Sequence, residues 1–424
     1  MKEAAAKVQT FNRWIPVIAS IAIQMCLGTA YIWSVFQSYL IISKSTPKAL
    51  FNWPATHGTL AYALLLGVLT VGSTFGGALQ QRLKSPRPVI VIGGIIMGIG
   101  FILAQFTTEA TPWLLWLTYG ILGGFGMGMA YTTTIAACQK WFPDKRGFVS
   151  GIIVSALGFG GLVFTPVAEA LIKRNGGNDV LSTFAFLGVL FIIVTFIGAL
   201  FIKNPPEGFA PKGWTPPVPK DGIIPRNFTP LEVLKTPQFY MVTVALMCAT
   251  AAGSMMIPMA KILALQPDSG LTAAAAVAGV MIISACNSFG RLFWGWLSDK
   301  LGRKNTLLIL LVVTGVSIVC VSFAKAYLML VLIAVIGFSY GGYLGVFPAL
   351  AADFWGTKNV AQVYGMVLLG FGVGAVASSY TIAYFSNTKA FSTAFIIAGI
   401  AAVVGFVIIS FLKAPGARVG NRAG

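Results

Sequence analysis

Charge is scarce in this sequence, and negative charge is scarcest. Only 9% of the 424 residues are charged, with 11 aspartates and glutamates against 29 lysines and arginines. So few ions cannot cover a soluble chain in which 57% of residues are hydrophobic and the mean hydropathy is +0.84, so lipid is the expected solvent. Histidine occurs once, at His57. It reads as a solvated residue in a short loop beside a helix start, and one imidazole cannot build a zinc site. The five cysteines (Cys26, Cys138, Cys248, Cys286, Cys320) all fall in apolar segments and read as small buried residues, not as a disulfide or metal framework. No metal or other cofactor is expected. The apolar segments hold no histidine and no nucleophile-and-base pair, so an enzyme is not expected either.

What is abundant is the long apolar run. A spanning helix needs roughly 20 apolar residues, and twelve such stretches are expected. The first six cover about 14–42, 58–81, 89–107, 113–142, 147–172 and 180–202; the second six cover about 238–264, 272–298, 305–324, 327–355, 359–386 and 390–412. The first is long enough to span and stay, so no cleavable leader is read there. The expected fold class is an all-α membrane protein with two six-helix bundles, 1–202 and 238–424, joined by a polar, proline-rich loop at 203–237. Within that loop Thr229-Pro230-Leu231-Glu232 has capping-box spacing with proline at the first helical position, which predicts a short helix.

The net charge of +18 would suit a nucleic-acid partner, but the bases sit in short loops between apolar runs. There they orient helices, and no nucleic-acid partner is expected. An even number of spans puts both termini on one side. That side carries 21 basic residues, while the opposite loops carry six (Lys44, Lys48, Lys173, Arg174, Lys325, Lys389). Both termini are therefore expected to be cytoplasmic. A shift of 213 positions lays Gly124-Phe125 on Gly337-Phe338, Gly128 on Gly341 and Ala136 on Ala349. Two related halves around a long loop suit a transporter that rocks about a midplane site. Glycines crowd spans four, five and eleven, where they permit close, sliding helix contacts. A monomer in the bilayer is expected.

Several segments carry a family resemblance. Gly295 to Lys304 (Gly-Trp-Leu-Ser-Asp-Lys-Leu-Gly-Arg-Lys), between spans eight and nine, resembles the signature loop of the major facilitator superfamily. The matching loop of the first half, Gly77 to Lys84, lacks the acid. Tyr31 to Phe36, Lys140 to Gly147 and Leu234 to Phe239 resemble the oxalate/formate antiporter family, which is close to the monocarboxylate transporters. The resemblance covers essentially the whole chain. It implies a bacterial transporter in the inner membrane that carries a small monocarboxylate such as lactate.

The site expected from the residues centres on Arg291, eight positions before Asp299 and so roughly 12 Å along the helix from the loop. An arginine at that depth costs at least about 2.5 kcal/mol to insert and by default marks a functional pathway. No aspartate or glutamate lies at matching depth, since Glu169 and Asp353 are near span ends. An anionic cargo is then the simplest counter-ion, and the planar guanidinium grips a carboxylate through two hydrogen bonds. Asn287, one turn earlier, offers a neutral donor and acceptor. Tyr131, Tyr343, Tyr31, Leu157 and Phe347 are the further candidates for the pocket. Monocarboxylate transporters of the mammalian type resemble this helix but carry aspartate where this chain has Asn287.

The resembling oxalate exchangers carry a second deep base, a lysine in span eleven, where residues 360–380 here have no charge. One cation fits one carboxylate. Lys261, the other base inside a span, is expected to snorkel from near the outer end of span seven. Electroneutral movement with a proton is expected; an oxalate/formate-type exchanger and a non-transporting sensor are the alternatives.

Overall fold

The structure is a computed structural model, and it describes residues 11–40, 50–174, 179–206, 208–211, 213–214, 227–264, 273–387 and 391–415. Among these, twelve long helical units follow one another. Span one joins Trp14–Leu27, a 3-10 turn at Gly28–Ile32 and Trp33–Leu40. Spans two and three are Ala55–Leu83 and Pro86–Ala104. Span four runs from Pro112–Leu115 through a π-helical stretch at Trp116–Gly123 into Gly124–Trp141. Spans five and six are Arg146–Lys173 and Val180–Phe201. The second set comprises Pro237–Ala264, Ala273–Leu301, Arg303–Val321, Ala326–Trp355, Val360–Asn387 and Phe391–Phe411 as spans seven to twelve. Eleven helices are long and apolar enough over their described residues to cross a membrane. No strand occurs among the described residues. The nearly all-helical architecture is the expected one.

Local chemistry explains the ends. Pro86 opens span three at a position whose N–H would have no helical partner. Thr229 and Glu232 form the complete capping box over Pro230–Leu234. The two related loops turn through left-handed residues, Lys84 (φ 51°) in the first half and Gly302 (φ 84°) in the second. Only the second uses the residue that adopts this conformation without steric cost.

Glycine sets the helix spacing. Gly128 of span four lies against the carbonyl of Leu69 in span two, and Gly160 of span five against that of Met25 in span one. A side chain at either place would push the helices apart. Large apolar residues such as Phe196, Leu200, Val407 and Phe411 remain exposed on the outside, a surface that suits lipid.

Three sequence expectations change. Span one is interrupted by the 3-10 turn, so it is not one α-helix. His57 lies in the first turn of span two, half-buried between Trp53 and Trp116 with ring centroids 5.8 and 5.3 Å away, rather than in a solvated loop. Of the cysteines, Cys26, Cys138 and Cys248 are buried, but Cys286 is half-buried and Cys320 exposed. An apolar segment has an outer face, and a cysteine there meets lipid.

Both ends of the long loop are fastened. On the first half, Trp141 Nε1 donates to the Lys203 carbonyl at 2.8 Å and Arg87 Nε to that of Ile202 at 3.0 Å. On the second, Phe228 N–H donates to the Trp355 carbonyl at 3.0 Å, and Asn359 Nδ2 to the Phe228 carbonyl at 2.7 Å. Trp141 acts through its indole N–H and Trp355 through its backbone carbonyl, at the ends of spans four and ten.

Candidate functional site

Span eight places Arg291 where the halves meet. Its turn is wedged between Gly151 of span five and Gly345 of span ten; a Cβ on either glycine would strike the Arg291 carbonyl. The side chain is completely buried, at 0% exposure. Nε donates to Asn287 Oδ1 at 3.2 Å, Nη1 to the Val154 carbonyl at 2.7 Å, and Nη2 to the Tyr31 hydroxyl at 2.5 Å. Among the described residues no carboxylate pairs with it. A guanidinium has five N–H donors. Three are used here, leaving one on each Nη without a partner among the described residues. That is the number an end-on carboxylate takes.

The 3-10 turn explains how Tyr31 gets there. The tighter turn at Gly28–Ile32 breaks the α-helical phase of span one, and Tyr31 meets Arg291 across the boundary between the halves, Arg291 Cζ lying 5.5 Å from the phenol ring centroid. Gly28 in the same turn rests on the Leu157 carbonyl of span five. Asn287 is 2% exposed and turns its oxygen toward the guanidinium, the one orientation a pure donor accepts. What it retains for a ligand is the amide N–H.

Five phenols stand within electrostatic reach of the guanidinium: Tyr31, Tyr62, Tyr131, Tyr340 and Tyr364. Tyr131 faces Tyr364 across the halves with ring centroids 6.5 Å apart. Gln24 Nε2 fixes the Tyr131 turn by donating to its carbonyl at 3.2 Å and to Thr134 at 2.9 Å.

Of the residues singled out from sequence, Arg291, Asn287, Tyr31 and Tyr131 converge. Tyr343 does not join them: its hydroxyl donates to Thr314 of span nine at 2.9 Å and ties two helices of the second half together. Leu157 and Phe347 are buried in the core, at 6% and 1% exposure. The Lys261 side chain lies outside the described residues. Sequence reading missed Tyr62, Tyr340 and Tyr364. Residues three apart share one side of a helix, so spacing could not rank Tyr340 above Tyr343. The available signal was the phenol itself, in spans two, ten and eleven.

The side carrying the termini is closed by charge. Arg146 of span five donates to Asp353 of span ten at 2.7 Å, and Arg303 bridges Asp353 and Asp299 at 2.9 and 2.6 Å. Asp299 also accepts the N–H groups of Gly147 and Phe148 at 3.0 and 2.8 Å, capping span five from the other half. In the first-half loop the acid is missing, yet Gly77 still packs on the backbone of Ala361 and Gln362 at the start of span eleven.

A signature loop locked across two six-helix halves, around a buried arginine, has a counterpart among known families. The sequence matches the Major Facilitator Superfamily over residues 17–288 and 280–424. The chain belongs to that superfamily. It is similar to an uncharacterized transporter of the major facilitator type, YhjX, from Escherichia coli, with 31% identity over 86% of each chain. It is also similar to the oxalate:formate antiporter of Oxalobacter formigenes, with 26% identity over 95% of this chain and 91% of that one. A third relative is monocarboxylate transporter 13 of Rattus norvegicus, with 25% identity over 88% and 82%. Among solved structures, the transporter FucP in its outward conformation superposes with a TM-score of 0.66 at 15% identity, covering 94% of this chain and 99% of that one. The protein is an integral membrane transporter of the major facilitator type. Among its described residues, no cluster of three or more histidine, cysteine, aspartate or glutamate side chains could hold a metal.

Proposed function

We propose that this transporter carries a small monocarboxylate of the lactate or pyruvate type by alternating access, with Arg291 as the counter-ion of the cargo. One observation carries the reading: a fully buried guanidinium with two unspent N–H groups and no acidic partner among the described residues. A bare buried cation is costly. A carboxylate entering from solution offsets that cost, and the neutralised pair lets the halves close over it. Tyr31 accepts from Arg291 and so keeps its own proton for a cargo oxygen. The Asn287 amide and the other phenols suit a hydroxyl or keto group.

Movement with one proton makes the cycle electroneutral, and proton symport is the favoured coupling. The positive-inside bias supports a cytoplasmic side for the termini and the charged closure in a bacterial cell. The two six-helix units, 1–202 and 238–424, are the bodies that rock, and one chain suffices as a monomer. Oxalate/formate-type exchange is the second reading, favoured by the 26% identity to the Oxalobacter antiporter. It is weakened by the absence of charge in residues 360–380, because oxalate carries two negative charges.

Radiolabelled uptake into liposomes tests the proposal. Lactate, pyruvate, acetate, formate and oxalate are compared with and without an imposed pH gradient. Saturable lactate or pyruvate uptake driven by an inward proton gradient is the expected result. Oxalate preferred over every monocarboxylate would favour the second reading, and binding without flux would make the protein a sensor.

A further inference from the structure

Among the described residues an aromatic groove lies between the halves, with a cavity volume of about 460 Å³. Its walls are Phe148 of span five, Phe289, Leu292, Phe293 and Trp296 of span eight, and Phe338 of span ten. Phe289, Phe293 and Trp296 are 56%, 41% and 40% exposed. Phe289 to Trp296 are seven helical steps apart, roughly 10 Å along the helix axis. At the end nearer the termini, Lys300 holds its ammonium 4.1 Å from the Trp296 ring centroid. Lys145, exposed at the N-cap of span five, stands three positions before Phe148. Neither lysine has a carboxylate partner among the described residues, since the nearby acids Asp144, Asp299 and Asp353 are engaged by Arg13, Arg303 and Arg146. An apolar slot in the hydrocarbon with unneutralised cations at its headgroup end matches a lipid with a tail and a negative head.

We propose that this groove seats one acyl chain of an anionic phospholipid from the leaflet on the termini side, with its headgroup at Lys300 and Lys145. Both halves supply the wall, and the N–H of Phe148 is itself bonded to Asp299. The seat therefore exists only while the charged closure is made. A ligand that binds one of two conformations shifts the population toward it, so the lipid holds the termini side shut. This inference is independent of what the transporter carries.

The test is native mass spectrometry of the full chain, released from micelles holding equal phosphatidylglycerol and phosphatidylcholine of the same chain length. The wild type is expected to retain one phosphatidylglycerol at least about five-fold over phosphatidylcholine, a factor that one lysine near an anionic headgroup supplies. Lys300→Gln, at an exposed site, should bring the ratio about five-fold toward parity, and Lys300→Arg should restore it. Trp296→Ala should lower retention of both lipids. In nanodiscs, hydrogen exchange at the Gly147 and Phe148 amides should be slower with phosphatidylglycerol than with phosphatidylcholine. Equal retention of the two lipids by the wild type, or a ratio untouched by Lys300→Gln, would overturn the proposal. So would a homodimer dissociated by Phe293→Ala, because the groove's occupant would then be a second copy of the chain.

Discussion

Replacing Tyr31 by phenylalanine removes one oxygen from the site and leaves the ring that packs beside Arg291. In the structure that oxygen accepts from Nη2, and among the described residues no other span-one side chain is hydrogen-bonded to the guanidinium. A hydrogen bond to a charged group contributes roughly 1.5–3 kcal/mol, which converts to about ten- to a hundred-fold. If the phenol both aims the guanidinium and donates to the cargo, the loss falls on productive binding. Lactate uptake into liposomes should then show kcat/KM reduced by about that factor. The fold should persist, because the ring remains and the freed N–H faces a site that already holds polar phenols. Thermal unfolding of the purified protein separates the two effects: a melting midpoint close to the wild type's with uptake sharply reduced is expected. Uptake within about two-fold of wild type would refute the reasoning, since Tyr31 would then be only packing.

Other consequences follow from the same geometry. Gly151→Ala puts a methyl against the Arg291 carbonyl. Overpacking of this kind costs about 1–3 kcal/mol, so melting midpoint and uptake should fall together. Asp299→Asn removes the ion pair with Arg303 and weakens the cap on span five; hydrogen exchange at Gly147 and Phe148 should rise by about ten-fold. Tyr364→Lys adds a second base within electrostatic reach of Arg291, and oxalate should compete better against lactate. An unchanged preference would discredit the one-cation, one-carboxylate argument.

How far the sequence led differs from feature to feature, for physical reasons. The spans were legible because a bilayer imposes length and apolarity on every crossing helix, and the capping box at Thr229 because its bonds are local. Arg291 was legible because depth in an apolar run is itself a signal. Its environment was not. The 3-10 turn that carries Tyr31 is set by the fit of Gly28 against Leu157, a contact between residues 129 positions apart. Asp353 read as an acid near a span end. Its bonds to Arg146 and Arg303, 207 and 50 residues away, exist only once the halves meet. Tyr340 and Tyr343 lie one helical turn apart, and rotation about the helix decides which phenol faces the site. That rotation is fixed by Gly341 and Gly345 packing on the backbone of Asn287 and Arg291.

The central claim is that the buried guanidinium receives the carboxylate of the cargo, and calorimetric titration of lactate into purified Arg291→Lys protein tests it most directly. Lysine keeps the positive charge but lacks the planar fork and cannot reproduce the three bonds to Asn287, Val154 and Tyr31. The account predicts saturable lactate binding to the wild type and a loss of at least about ten-fold in affinity in the variant, at preserved fold. Wild-type affinity in Arg291→Lys would contradict it.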